Sequence, residues 1–169
     1  NKIDEIFSDD ILAYENISVE KALGSLVAKN DIKVSFVESI TGGLLSSLLV
    51  KNPGISKYFI GSDVVYGNQA KSILLNDNDI DFENWEELCV NLTHSSLEKY
   101  KTDICLTILG EAGPLSSSKY SVGTIFICIS NGDKTVITDH KMNGNREEIL
   151  QRSANKAQWE LIKFIKNLY

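Results

Sequence analysis

Apolar positions along this chain recur with two periods, and the switches between them predict the elements. Ser18 is placed to cap a helix over Val19 to Lys29, with Ala22, Leu23, Leu26 and Val27 on one face. A shorter helix is predicted around Ile3 to Tyr14. Lys33 to Val37 alternates as a strand does, and Thr41-Gly42-Gly43 then opens a helix to about Val50, ended by Asn52-Pro53-Gly54. Tyr58 to Tyr66 is strand-like, Asn68 to Leu75 a short helix, and Asn76 to Asp81 an acidic turn. Trp85, Leu88, Cys89 and Leu92 give helical spacing to Trp85–Tyr100.

Asp103 to Leu109 is an unbroken apolar run, the mark of a strand buried on both faces. Val122 to Ser130 and Lys134 to Lys141 are two further strands, and Asn131-Gly132 between them signals a hairpin. Asn145-Arg146-Glu147-Glu148 has the form of a capping box, opening a helix that buries Ile149, Ala154, Ala157, Leu161, Ile165 and Leu168. Helices alternating with strands, then a late hairpin, predict an α/β fold: three α/β/α layers, a mixed sheet, a hairpin at about residues 122–141 and a long C-terminal helix. With no repeat or long linker, residues 1–169 are read as one domain.

Composition narrows the function classes. A net charge of −6 argues against general nucleic-acid binding, which needs a basic surface, but leaves room for a local basic pocket holding one small phosphate. No apolar run approaches the roughly 20 residues of a membrane span, so no membrane partner is expected. No basic start leads into an apolar stretch, so no signal peptide is expected. Cys89, Cys105 and Cys128 form no CxxC pair; the latter two sit in apolar runs and read as buried, reduced thiols suited to the cytoplasm. His94 and His140 lack partners at ligand spacing, and Asp77, Asp79 and Asp81 lack the glycine and final glutamate of a cation loop, so neither metal nor cofactor is expected.

Three loops carry the candidate chemistry. Glu38-Ser39-Ile40-Thr41-Gly42-Gly43 joins a strand to a helix, where free amides attract an oxyanion or a phosphate and Ser39 is placed as a nucleophile. The plainer reading is a turn capped by Thr41. Lys71, in Val64-Val-Tyr-Gly-Asn-Gln-Ala-Lys71, becomes a general base if desolvated, though a solvated helix lysine fits the pattern as well. Leu109-Gly-Glu-Ala-Gly-Pro114 follows the predicted central strand, where α/β sheets bind ligands; a tight turn is the alternative. Trp85 and Trp159 fit helix packing faces better than a ligand cage.

Taken in order, these loops resemble the CinA C-terminal domain, the family of nicotinamide-nucleotide amidases. Val37-Glu-Ser-Ile-Thr-Gly-Gly43 is similar to that family's A-E-S-C-T-G-G, and Val64 to Lys71 to its V-T-Y-S-N-E-A-K. Leu109 to Pro114, followed by Val122-Gly123, is similar to T-G-I-A-G-P followed by V-G, and Gly144 to Ile149 to G-x-R-E-x-I. The resemblance covers roughly residues 15–168.

It implies hydrolysis of the carboxamide of nicotinamide mononucleotide to nicotinic acid mononucleotide and ammonia, through a Ser–Lys acyl-enzyme and without a metal. Ser39 would be the nucleophile and Lys71 its base. Glu38 would be a substrate-binding residue, Thr41, Gly42 and Gly43 would form the anion-binding turn, Tyr66 and Asn68 would line the pocket beside Lys71, and Gly110, Ala112 and Gly113 would shape the opposite wall. Arg146 would meet a phosphate, or else serve a surface ion pair. The expected partner is a small pyridine nucleotide, with self-association of the chain. The stand-alone form of the domain is expected, without the family's separate N-terminal domain. Ile40, Gly67, Leu109 and Glu111 depart from the pattern, three of them by removing a polar group, and Asn84-Trp85 replaces the family's A-V-S turn. Two alternatives therefore stand beside the amidase: a nucleotide-binding module of the same fold without turnover, and a hydrolase for another amide.

Overall fold

A computed structural model describes residues 17–116 and 118–168; the helix expected around Ile3 to Tyr14 lies outside them. The described chain runs α1 (Val19–Lys29), β1 (Val34–Glu38), α2 (Leu44–Leu49), a single 3₁₀ turn (Ile55–Lys57), β2 (Phe59–Val64), α3 (Asn68–Leu75), α4 (Trp85–Tyr100), β3 (Ile104–Gly110), β4 (Thr124–Ser130), β5 (Thr135–Lys141) and α5 (Arg146–Lys166). The sheet order is β2-β1-β3-β4-β5. β2 and β3 flank β1 in parallel, with Val37 opposite Asp63 on one side and Thr107 on the other. β4 and β5 continue the sheet antiparallel. The expected mixed sheet is present, with the apolar run of β3 in its centre.

Helices cover both faces, and strand alternation divides the core between them. Phe36, Leu106 and Ile108 pack with Leu23, Leu45, Leu161 and Ile165, placing α1, α2 and α5 on one side. Val37, Cys105, Leu109 and Cys128 pack with Trp85, Leu88 and Leu92 of α4 on the other. All three cysteines are free and buried. The predicted capping box is formed: Asn145 Oδ1 accepts from Glu148 N at 3.0 Å, and Glu148 Oε2 accepts from Asn145 N at 2.8 Å. Ser18 does stand at the N-cap of α1, but its side chain makes no capping bond, and only its carbonyl engages the helix, from Ala22 N at 3.0 Å.

β1, β2 and β3 point the same way, so their carboxyl ends gather along one edge of the sheet. The β1–β2 crossover carries α2 on one face and the β2–β3 crossover carries α3 and α4 on the other. The loops therefore part at the end of β1, where an open α/β sheet leaves a crevice.

Candidate active site

Ser39 is the first residue beyond β1, and the neighbouring strands fix the stem beneath it. Ser39 N donates to Ile108 O at 3.0 Å, and Val65 N donates to Glu38 O at 2.8 Å. Alternation then separates two adjacent polar side chains. Val37 belongs to the α4-side core, so Ser39 turns toward that side and Glu38 toward α2. Ser39 is nearly buried and lines a cleft of about 150 Å³ together with Tyr66, Asn68, Lys71, Trp85, Gly110 and Glu111.

Glu38 lies behind the cleft, with no accessible surface. Its Oε2 accepts from Thr41 Oγ1 at 2.7 Å and from the Gly43 and Leu45 amides, both at 3.0 Å. Its Oε1 accepts from Ser46 N at 2.8 Å and Ser46 Oγ at 2.5 Å, with Ser62 Oγ at 3.4 Å. The start of α2 is thus capped from inside by a carboxylate. Gly42 N donates to Ser39 O at 3.2 Å, closing the turn. Of the expected anion-binding turn of Thr41, Gly42 and Gly43, the Gly42 and Gly43 amides are thus already used while the Thr41 amide is not, and Glu38, expected at the substrate, does not line the cleft. Gly42 and Gly43 instead supply left-handed backbone, with φ of 58° and 100°. The Ile40 and Thr41 amides have no acceptor among the described residues.

Lys71 lies on the inward side of α3, 7% exposed. Its Nζ reaches Tyr66 O at 3.4 Å and Asn68 Oδ1 at 3.5 Å, and among the described residues it forms no ion pair. Burial without a counter-charge lowers its pKa from the ordinary lysine value. Ser39 and Lys71 thus share one cleft, although no hydrogen bond joins them in the free protein.

A second lobe of about 140 Å³ adjoins the first through Ser39, Tyr66, Gly110 and Glu111, and adds Ile40, Ala112 and Arg146. Arg146, in the first turn of α5, donates to Gly113 O at 2.5 Å and to the Tyr66 hydroxyl at 2.7 Å, bracing the mouth. Of the residues named from sequence, Ser39, Lys71, Tyr66, Asn68, Gly110, Ala112 and Arg146 meet around the two lobes, and Gly113 stands just behind Arg146.

The sequence reading missed Phe82, Glu83, Leu88 and Ser118 as lining residues, and it set Trp85 both in a packing face and among the altered pocket positions. Trp85 does both: it stacks on Tyr120 with centroids 4.3 Å apart, meets Phe126 edge-on at 5.9 Å, and walls the cleft. A larger groove of about 480 Å³, lined by Asp77, Asp79, Asp81, Glu87 and Glu98, shares only Leu88 with it.

The family model described as CinA C-terminal domain matches residues 16–165. The chain belongs to this family. A CinA-like protein of Pseudothermotoga lettingae is 37% identical over 76% of this chain and 33% of its own length. A CinA-like protein of Syntrophomonas wolfei is 31% identical over 98% of this chain and 41% of its own. The chain therefore spans about a third to two fifths of the curated CinA-like relatives it matches. Among solved structures, a CinA superfamily protein of Klebsiella pneumoniae superposes with a TM-score of 0.83 at 17% identity, covering 88% of this chain and 96% of that one. One from Enterobacter cloacae gives 0.79 at 20%, covering 92% and 98%. These likenesses show the CinA fold, with its sheet, covering helices and C-terminal helix. Among the described residues no helix is long and apolar enough to cross a membrane.

Proposed function

We propose that this CinA-family chain hydrolyses the carboxamide of nicotinamide mononucleotide to nicotinic acid mononucleotide and ammonia. The observation that carries the reading is Lys71: an amine buried with no carboxylate partner among the described residues, its pKa lowered, in the same small cleft as a hydroxyl at the end of β1. A structural lysine would be expected to pair or to reach solvent. An amine whose pKa is lowered by desolvation suits general-base work on a serine.

In this mechanism Lys71 Nζ accepts the Ser39 proton as Oγ attacks the amide carbon. The resulting ammonium protonates the departing nitrogen, so ammonia leaves and an acyl-serine remains. Water then adds to the acyl carbon, giving its proton to Lys71, and the carboxylate departs as Ser39 is re-protonated. The Ile40 and Thr41 amides, rather than those of Gly42 and Gly43, serve the oxyanion. The Ser39–Lys71 hydrogen bond forms on substrate binding, as catalytic contacts often tighten only in the complex. Arg146 at the mouth of the second lobe takes the phosphate. Ammonia release from nicotinamide mononucleotide by the wild type, abolished in Ser39→Ala and Lys71→Ala, is the expected result; near-wild-type turnover in either variant ends the mechanism.

A second reading is favoured by the same free-state geometry. If the pair stays apart with ligand present, the chain binds the nucleotide without turning it over. Calorimetric binding with no product formed would select this reading. Turnover of simple amides or esters in place of the nucleotide would select a hydrolase of another specificity.

A further inference from the structure

Glu111 is a carboxylate set in the wall between the two lobes, lining both, and only 8% exposed. It continues the line of β3: its amide donates to Thr124 O at 3.0 Å, and its own carbonyl accepts from Gly123 N at 2.6 Å. Pairing with the neighbouring chain is thus kept one residue beyond the strand. Alternation puts Glu111 on the same side as Leu109, whose side chain lies in the core with Trp85. The first lobe consequently presents an indole, this carboxylate and, at its rim, Glu83. Among the described residues that line it, Lys71 is the one basic side chain, and burial lowers its pKa. Arg146 lines the second lobe, which Glu111 also borders, and does not line the first.

We infer that Glu111 is a specificity-determining residue that makes the Trp85 lobe selective for an aromatic amide carrying a positive ring over its neutral counterpart. A quaternary pyridinium spreads its charge over a flat ring and has no N–H to donate. It is recognised by an aromatic face together with a nearby anion, since no hydrogen bond is available. The same field acts with opposite sign on a product carboxylate formed in the lobe, favouring its departure. The inference rests on the amide-hydrolysis reading for its choice of ring, yet charge selectivity is a property of binding and is measured without turnover.

The test uses two probes that differ by an N-methyl group and a charge: 1-methylnicotinamide, a cation, and nicotinamide, which is neutral. Their affinities are measured by calorimetry on the wild type and on Glu111→Gln, which keeps the shape of the side chain. The wild type is expected to bind the cation tighter by on the order of tenfold. In Glu111→Gln that ratio falls toward one while the affinity for nicotinamide stays within about twofold, and nicotinate binds more tightly than to the wild type. Equal affinities in the wild type, an unchanged ratio in the variant, or no binding of either probe overturns the inference. A selective ratio in a protein that forms no product would instead refute the amidase reading and leave the selectivity standing. Leu109→Ala, which loosens the same wall without touching charge, should weaken both probes alike; a change in its ratio matching that of Glu111→Gln would mean that packing sets the preference.

Discussion

Glu38 and Ser39 are consecutive, and they occupy opposite kinds of environment. Glu38 points toward α2, where both carboxylate oxygens are filled by hydroxyl and amide donors. Ser39 points toward a cleft it shares with an amine whose contacts to oxygen among the described residues are two long ones, 3.4 and 3.5 Å. A buried polar group with its bonding complete holds the fold in place. One left short of partners retains free energy for a ligand. The difference teaches how to sort the polar residues of this edge: by how far each is satisfied, not by how near it lies to the nucleophile.

The comparison is broken most forcefully on the cleft side. Ser39→Ala and Lys71→Ala should each lower the rate of ammonia release by about 10³-fold or more while the fold stays intact, read by an ammonia assay beside circular dichroism. A merely structural role for Lys71 would leave the rate near that of the wild type. On the other side, Glu38→Ala strands the Gly43, Leu45 and Ser46 amides and should cost about 3 kcal/mol or more of stability in a urea titration. Gly110 lies between the two regions. A Cβ added there would stand 2.7 Å from Ile40 Cδ1, 2.8 Å from Ile125 Cγ2 and 3.0 Å from Thr124 O. Gly110→Ala should therefore destabilise by about 1–3 kcal/mol and lower activity through the displaced Ile40.

Arg146→Gln should raise KM for the phosphate-bearing substrate by about tenfold with kcat little changed, and leave the phosphate-free riboside unaffected. The smallest effect concerns pH. Because burial lowers the pKa of Lys71, kcat/KM should rise with pH through an ionisation below 10.5, and this limb should vanish in Lys71→Ala. Below the folded pKa the buried ammonium opposes folding. Between the folded pKa and 10.5 the unfolded chain binds the extra proton, so stability from this group rises with pH. Lys71→Met should accordingly stabilise the protein near neutrality, with a gain that shrinks as pH climbs toward 10.5.

Most of the architecture was legible because periodicity and punctuation agree. Asn68–Leu75 and Trp85–Tyr100 are helical over the residues the pattern marks, and the unbroken run before Leu109 does occupy the sheet centre. The Asn145 box forms because both of its partners lie within one turn of the same helix. What failed depends on contacts outside the local segment. An empty amide at a helix start attracts any acceptor, and the motif does not reveal that Glu38 reaches it first. The period of two did hold the clue, since a strand that turns Ser39 to the cleft must turn Glu38 away. The helical spacing of Trp85 identifies a buried face but not that the face ends at a cavity, and it was the family pattern that set this residue near the pocket. Glu83 and Ser118 lie outside regular elements and meet only in three dimensions, so no spacing could have paired them.

The brace from Arg146 to Gly113 and Tyr66 joins parts of the chain 33 and 80 positions apart. During translation a chain that has emerged through β5 already has all five strands of the described sheet, yet the mouth of the cleft is unsupported until the first turn of α5 leaves the ribosome. The brace is thus acquired late in biosynthesis, after the described sheet is complete. A fragment ending at β5 would lack the helix that closes one face of the core as well as this brace, so its inactivity would say nothing about the chemistry of the cleft.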